Sequence, residues 1–332
     1  MYSESDIDSA VAAGILTPET AAVLREHVAL KRRMPAADEE HFRLLGGFND
    51  IFVALALALV LVFPIALGQG FLVAAACWGL AEFITRARRL ALPSILLLLV
   101  FVGSIWFEAL QQINPGPAGS ISPAGRAGDA TGAAALTFAA TFLYWWRFRV
   151  PMAQAVMAGV ALGGLVLAVS DYAPDANLTW PLLGVGGLAI FAYAMHWDLA
   201  DRDRRTHRAD VAFWLHLLAA PLIAHSVFSQ IGLFEAATPA WAPLVLLIYI
   251  FFALVALVVD RRAILVSGLG YAVAAVSGLM GDVGTGLIGG TFLLGGTLLV
   301  LGLFWPNARA AVIIYLPDAL SKRLPPADRR PA

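Results

Sequence analysis

All but one of the 22 lysines and arginines of this 332-residue chain fall on the same side of a series of apolar runs, once those runs are taken to cross a bilayer in turn. Cytoplasmic loops of membrane proteins collect Lys and Arg, so this pattern constrains both the solvent and the orientation of the chain. With the N-terminus inside, the inner segments hold Lys31, Arg32, Arg33 and Arg43, then Arg86, Arg88 and Arg89, then Arg147 and Arg149. The same side receives Arg202, Arg204, Arg205 and Arg208, then Arg261 and Arg262, then the C-terminal tail. The outer loops carry Asp129, Asp171, Asp175, Glu235 and Asp282, and Arg126 is their one base. Adding or removing a crossing would scatter the arginines over both faces.

Apolar stretches of roughly 17–25 residues suit a membrane helix, and ten candidates are read at 51–67, 70–85, 91–109, 132–147, 151–169, 179–197, 211–232, 241–259, 263–280 and 284–305. The composition demands lipid, because 60% of the residues are hydrophobic and 14% charged, against roughly 45–50% and about 25% in soluble domains. The expected fold is all-α, a polytopic transmembrane bundle of about ten spans with both termini cytoplasmic. Trp145, Trp146, Trp197, Trp214 and Trp305 fall at inner ends and Trp106, Trp180 and Trp241 at outer ends, as interfacial aromatics should. The first two runs are joined by Gly68-Gln69-Gly70, where paired glycines can accept positive φ in a tight hairpin.

Three domains are expected: a cytoplasmic helical hairpin over 1–45, the ten-span domain over 46–305, and an amphipathic or disordered tail over 306–332. In the hairpin, Ser3 or Ser5 can cap a helix bearing Ile7 and Val11, Gly14 can close it, and Thr17-Pro18 can open a second. Val23, Leu24, Val28 and Leu30 make the apolar side of that second helix. So small a pair buries little alone, so residues 1–45 are a candidate surface for a protein partner. A DNA-reading role is disfavoured, since up to residue 45 acids outnumber bases eight to five and phosphate contact dominates DNA affinity. Asn49 or Asp50 can cap the first span.

Three inner turns resemble one another: Thr85-Arg86-Ala87-Arg88-Arg89 before Pro93, Trp146-Arg147-Phe148-Arg149 before Pro151, and Asp260-Arg261-Arg262 before Ser267. Spans 1–3 and 7–9 also share a layout and a direction of entry. A parallel repeat accounts for this, and so does the basic character of any inner turn.

Ionisable groups inside the apolar layer are costly and mark functional sites by default. Glu82, one helical turn before Arg86, suits an i,i+4 ion pair. His216 and His225 flank Pro221 on the seventh span, nine residues apart and so on nearly opposite faces; each could line a cavity or be satisfied by a neighbouring carbonyl. Asp282, within Gly281-Asp282-Val283-Gly284, could coordinate a cation from a re-entrant turn or sit in a plain tight turn. These four residues are the candidate intramembrane polar path. Span 10, with Gly286, Gly289, Gly290, Gly295 and Gly296, is built for close packing, within the chain or across a dimer. Cys77, the single cysteine, excludes an intramolecular disulfide. The sequence offers no nucleophilic triad, paired deep carboxylates, His-rich metal cluster or phosphate loop, so neither enzyme activity nor a cofactor is expected.

The leader carries Ala13, Gly14, Ile15, Leu16, Thr17, Glu19 and Ala21 in the pattern aGlIs-x-e-x-A ahead of about ten spans. In this it resembles a bacterial family of multi-pass predicted membrane proteins, the type known as domain of unknown function 2157. The resemblance implies a bacterial inner-membrane location and no particular activity. Two classes of function stay open: a non-enzymatic membrane interaction or regulatory protein, and a transporter or channel for a small solute with a path lined by spans 7–10.

Overall fold

The computed structural model describes residues 4–31, 48–66, 68–113, 127–173, 177–201, 206–231, 241–279, 283–318 and 324. The chain divides into two compact units, Met1–Phe42 and Arg43–Ala332. Among the described residues all regular structure is helical.

In the first unit, α1 (Glu4–Ala12) and α2 (Pro18–Lys31) form a hairpin. Gly14 takes φ +71°, the left-handed conformation that ends a helix, and its N–H donates to Val11 O at 3.0 Å. Thr17 Oγ1 accepts from the Thr20 N–H at 3.2 Å, which satisfies one free donor at the start of α2. Within the unit Ala21 is buried, whereas Val23 and Leu24, expected on the apolar side of α2, are 64% and 38% exposed. Ser3 lies outside the described residues, and Ser5 is already inside α1.

The second unit contains α3 (Phe48–Ala66), α4 (Gly70–Ala81), α5 (Ala91–Ile113), α6 (Ala127–Phe148), α7 (Met152–Tyr172), α8 (Thr179–Ala200), α9 (His207–Gln230), α10 (Ala242–Val259), α11 (Ala263–Leu279), α12 (Val283–Leu303) and α13 (Trp305–Ile313). A π-helix, Glu82–Arg88, continues α4. Seven of the helical segments are long and apolar enough to cross a membrane: Phe48–Ala66, Gly70–Arg88, Ala91–Gln112, Met152–Ser170, Thr179–Ala200, His207–Gln230 and Ala242–Val259. Between 22% and 50% of each apolar window is buried, so the remaining surface needs an apolar solvent. The other three expected spans correspond to α6, α11 and α12, which do not reach that length and hydropathy by themselves over the described residues. Helix α12 is followed by a bend of 78°, between Leu303 and Trp305, into α13.

Small residues set the closest approaches. A Cβ on Gly187 of α8 would meet Leu222 Cβ at 3.0 Å and Ile223 N at 3.2 Å on α9. Gly68 has φ +69°, but Gly70 does not share that conformation; it is small because a Cβ there would come within 2.7 Å of Glu108 Cβ on α5. The expected pair of flexible glycines is thus one turn residue and one contact residue. Asn49 and Asp50 are not caps either, since α3 begins at Phe48 and Asp50 is buried in its first turn. Hydroxyls inside helices donate to the preceding turn, as Thr137 does to Ala133 O and Thr141 to Thr137 O, each at 2.7 Å.

The two triplets compared above pack alike: α3 and α4 both rest on α5, and α9 and α10 both rest on α11. The three basic turns compared above also share a backbone feature. Arg89, Arg149 and Asp260 have φ of 55°, 56° and 61°, the left-handed region in which a non-glycine residue is uncommon.

Candidate functional site

The charged residues with the least exposure gather where α8 ends, α9 begins and the α10–α11 turn passes. Asp198, in the last turn of α8, is 2% exposed and Arg261, in the turn, is 1% exposed. The guanidinium grips the carboxylate with two N–H groups, Nη2 to Oδ1 and Nε to Oδ2, the latter at 3.2 Å. This fork is the geometry in which arginine binds a carboxylate most strongly. Nη2 also donates to Ala209 O at 3.2 Å, which ties the turn to the first turn of α9. His216 of α9 completes the group, with Nε2 2.9 Å from Asp198 Oδ2. An ionised carboxylate only accepts, so Nε2 carries the hydrogen. Phe191 presents its ring edgewise to the imidazole at 5.0 Å.

Asp260 precedes Arg261 and faces the other way. Its Oδ1 accepts from Trp305 Nε1 at 2.8 Å and lies 3.6 Å from Arg309 Nε, which also donates to Leu257 O at 3.2 Å. These contacts dock α13 on the end of α10, while Arg262 lies over the Trp305 ring at 5.2 Å. Left-handed backbone at Asp260 is what lets neighbouring side chains diverge so sharply. Asp201, after α8, meets the start of α9, accepting from Thr206 N at 2.9 Å and Thr206 Oγ1 at 2.7 Å, and Thr206 Oγ1 in turn caps α9 through Arg208 N at 3.3 Å.

The expected polar path is not assembled as one site. His216 joins the Asp198 cluster. His225 instead meets the Tyr271 hydroxyl through Nδ1, beside the Trp180 ring at 4.9 Å. A neighbouring carbonyl was one expected partner for each histidine; in both the contact seen is a side chain of another helix. Glu82 pairs with Arg86 at 3.4 Å, as its spacing suggests, and also with Arg147 of α6 at 2.7 Å. Asp282 lies outside the described residues. Among the described residues no group of three or more His, Cys, Asp or Glu could hold a metal.

Sequence reasoning missed Asp198, Arg309 and Glu108, and it read Asp260 and Arg261 only as part of a basic turn. Two signals were present. Asp260-Arg261 is an acid and a base side by side in a turn too tight to keep both in water, and Glu108 is the one ionisable residue of the 91–109 run. Glu108 Oε2 accepts from Gly70 N at 2.7 Å, satisfying a free donor at the start of α4, where a negative charge is favoured.

His225→Leu and Tyr271→Phe should each lower stability by about 1–3 kcal/mol, and the double variant should cost little more than either. Strictly additive losses in detergent unfolding would show that the two side chains do not support one another.

None of the known protein-family models, curated proteins or solved structures compared with the chain matches it.

Proposed function

We propose that this chain is a bacterial inner-membrane protein that crosses the bilayer ten times with both termini cytoplasmic, and that it works by holding partners at the membrane rather than by catalysis. One observation carries the reading. Among the described residues, polar groups inside the bundle are engaged with one another, Asp198 with Arg261 and His216, and His225 with Tyr271, which supports a clamp between helices over a lined channel. The exposed Val23 and Leu24 give residues 1–45 an apolar face for a protein partner. The family resemblance of the leader fits the same reading. On α12, a Cβ at Gly295 or Gly296 would meet nothing within 4 Å, room that a second copy could fill.

Reporters fused after Arg205 and at the C-terminus should read cytoplasmic, and one inserted at Gly119 external. Reversed readings at Arg205 and Gly119 would reject the topology. Photo-crosslinkers at Val23 and Leu24 should capture protein in living cells; capture of nothing but lipid would remove the role given to the hairpin.

A further inference from the structure

The π-helix and the last turn of α6 meet on one carboxylate, because Glu82 binds both Arg86 and Arg147. These two helix ends and the turns that follow them carry five arginines, Arg86, Arg88, Arg89, Arg147 and Arg149, against that single acid. Arg88, Arg89 and Arg149 are exposed, and none forms an ion pair among the described residues. Arg88 lies over the Phe83 ring at 5.3 Å and Arg149 over the Trp145 ring at 4.8 Å, while Phe83 and Trp146 are themselves 58% and 62% exposed. A surplus of guanidinium thus stands beside large apolar side chains, at the ends of apolar helices.

The backbone supplies the second observation. Arg89 and Arg149 take φ of 55° and 56°, at the helix-ending position where glycine is preferred because it has no Cβ to clash. At the corresponding place in the third turn, Asp260 uses its side chain internally, on Trp305 and Arg309. A side chain kept where glycine would be easier implies a use for it. Arg149 stacks on Trp145, but neither Arg89 nor Arg149 meets a carboxylate among the described residues.

We propose that these paired turns are a headgroup site for anionic phospholipid, in which Arg88, Arg89 and Arg149 hold the phosphate and Phe83 and Trp146 lie against the acyl chains. The inference rests on the membrane reading above. A soluble anion would use the guanidiniums alone, whereas a phospholipid matches the charge and the adjoining apolar surface together.

The test uses the full chain in a neutral detergent, titrated with phosphatidylglycerol or phosphatidylcholine, with bound lipid counted by native mass spectrometry and stability read as Tm. The wild-type protein should prefer phosphatidylglycerol and gain Tm from it. The double variant Arg89→Gly, Arg149→Gly should be more stable than wild type without lipid, since the left-handed backbone is relaxed. It should also bind phosphatidylglycerol more weakly, about fivefold per arginine lost, from about 1 kcal/mol per basic residue at an anionic surface. Arg88→Gln, which leaves the backbone alone, should weaken binding by the same factor. Undiminished phosphatidylglycerol binding by these variants would overturn the proposal. So would equal stabilisation by glycerol phosphate, which would make the site one for a free anion, or equal competition by polyglutamate, which would assign it to an acidic protein. Failure of the protein to float with liposomes would sink the membrane reading itself, whereas flotation without lipid preference would sink the headgroup site alone.

Discussion

Asp198→Leu is expected to cost about 3–5 kcal/mol, since removing one member of a buried pair strands the other charge. Arg261 is 1% exposed and its fork has no second carboxylate in reach to replace Asp198 among the contacts found. Water would have to enter between α8, α9 and the α10–α11 turn, or the turn would have to swing out. The double variant Asp198→Leu, Arg261→Met should recover most of the loss, because packed apolar groups in place of a buried ion pair are often neutral or better. Unfolding in mixed micelles distinguishes the cases. If the double variant is as unstable as the sum of the single ones, the two residues do not act as a pair. Asp198→Asn should fall between, keeping an acceptor for the arginine but no charge.

At the third turn the sign of a glycine substitution should reverse. Arg89→Gly and Arg149→Gly relax a left-handed residue whose side chain has no ion-pair partner among the described residues. Asp260→Gly relaxes the same backbone, worth about 1–2 kcal/mol, but leaves Arg309 buried without its carboxylate, a loss of about 3–5 kcal/mol. The net expectation is a destabilisation of about 1–4 kcal/mol, the balance of those two terms, with α13 released from the end of α10. Trp305→Phe should show a milder form of the same release, about 1–3 kcal/mol for one buried hydrogen bond. Limited proteolysis near Phe304 would report it. An Asp260→Gly protein as stable as wild type would mean that α13 is held by its apolar contacts alone.

Hydrophobic runs in the sequence placed the long helices to within a few residues: the 179–197 run became Thr179–Ala200 and the 241–259 run became Ala242–Val259. Local chemistry was equally legible, in Gly14, in Thr17-Pro18 and in the pairing of Glu82 with Arg86, because each depends on residues within one turn of helix. What stayed hidden depends on distance along the chain. Asp198 and Arg261 are 63 residues apart, and each, read alone, is an ordinary charged residue at the end of a span. Positive charge reports the side of the membrane but not whether the side chain reaches water, so Arg261 and Arg309 counted towards orientation while lying buried. The end of the last span near Trp305 was legible in the sequence, but the contact of Trp305 and Arg309 with Asp260, which docks α13 on the end of α10, was not.

The order in which the Asp198 cluster is made has a consequence for synthesis. The carboxylate leaves the ribosome first, His216 follows 18 residues later and Arg261 63 residues later. At about 5–20 residues per second that second interval is about 3–13 s. Throughout it the nascent chain carries an acid at the end of an apolar helix with, at best, an imidazole for company. A chain that stops before α10 never receives its guanidinium. Such fragments should be poor at leaving the insertion machinery and quick to be degraded, while fragments that extend just past Arg262 should persist.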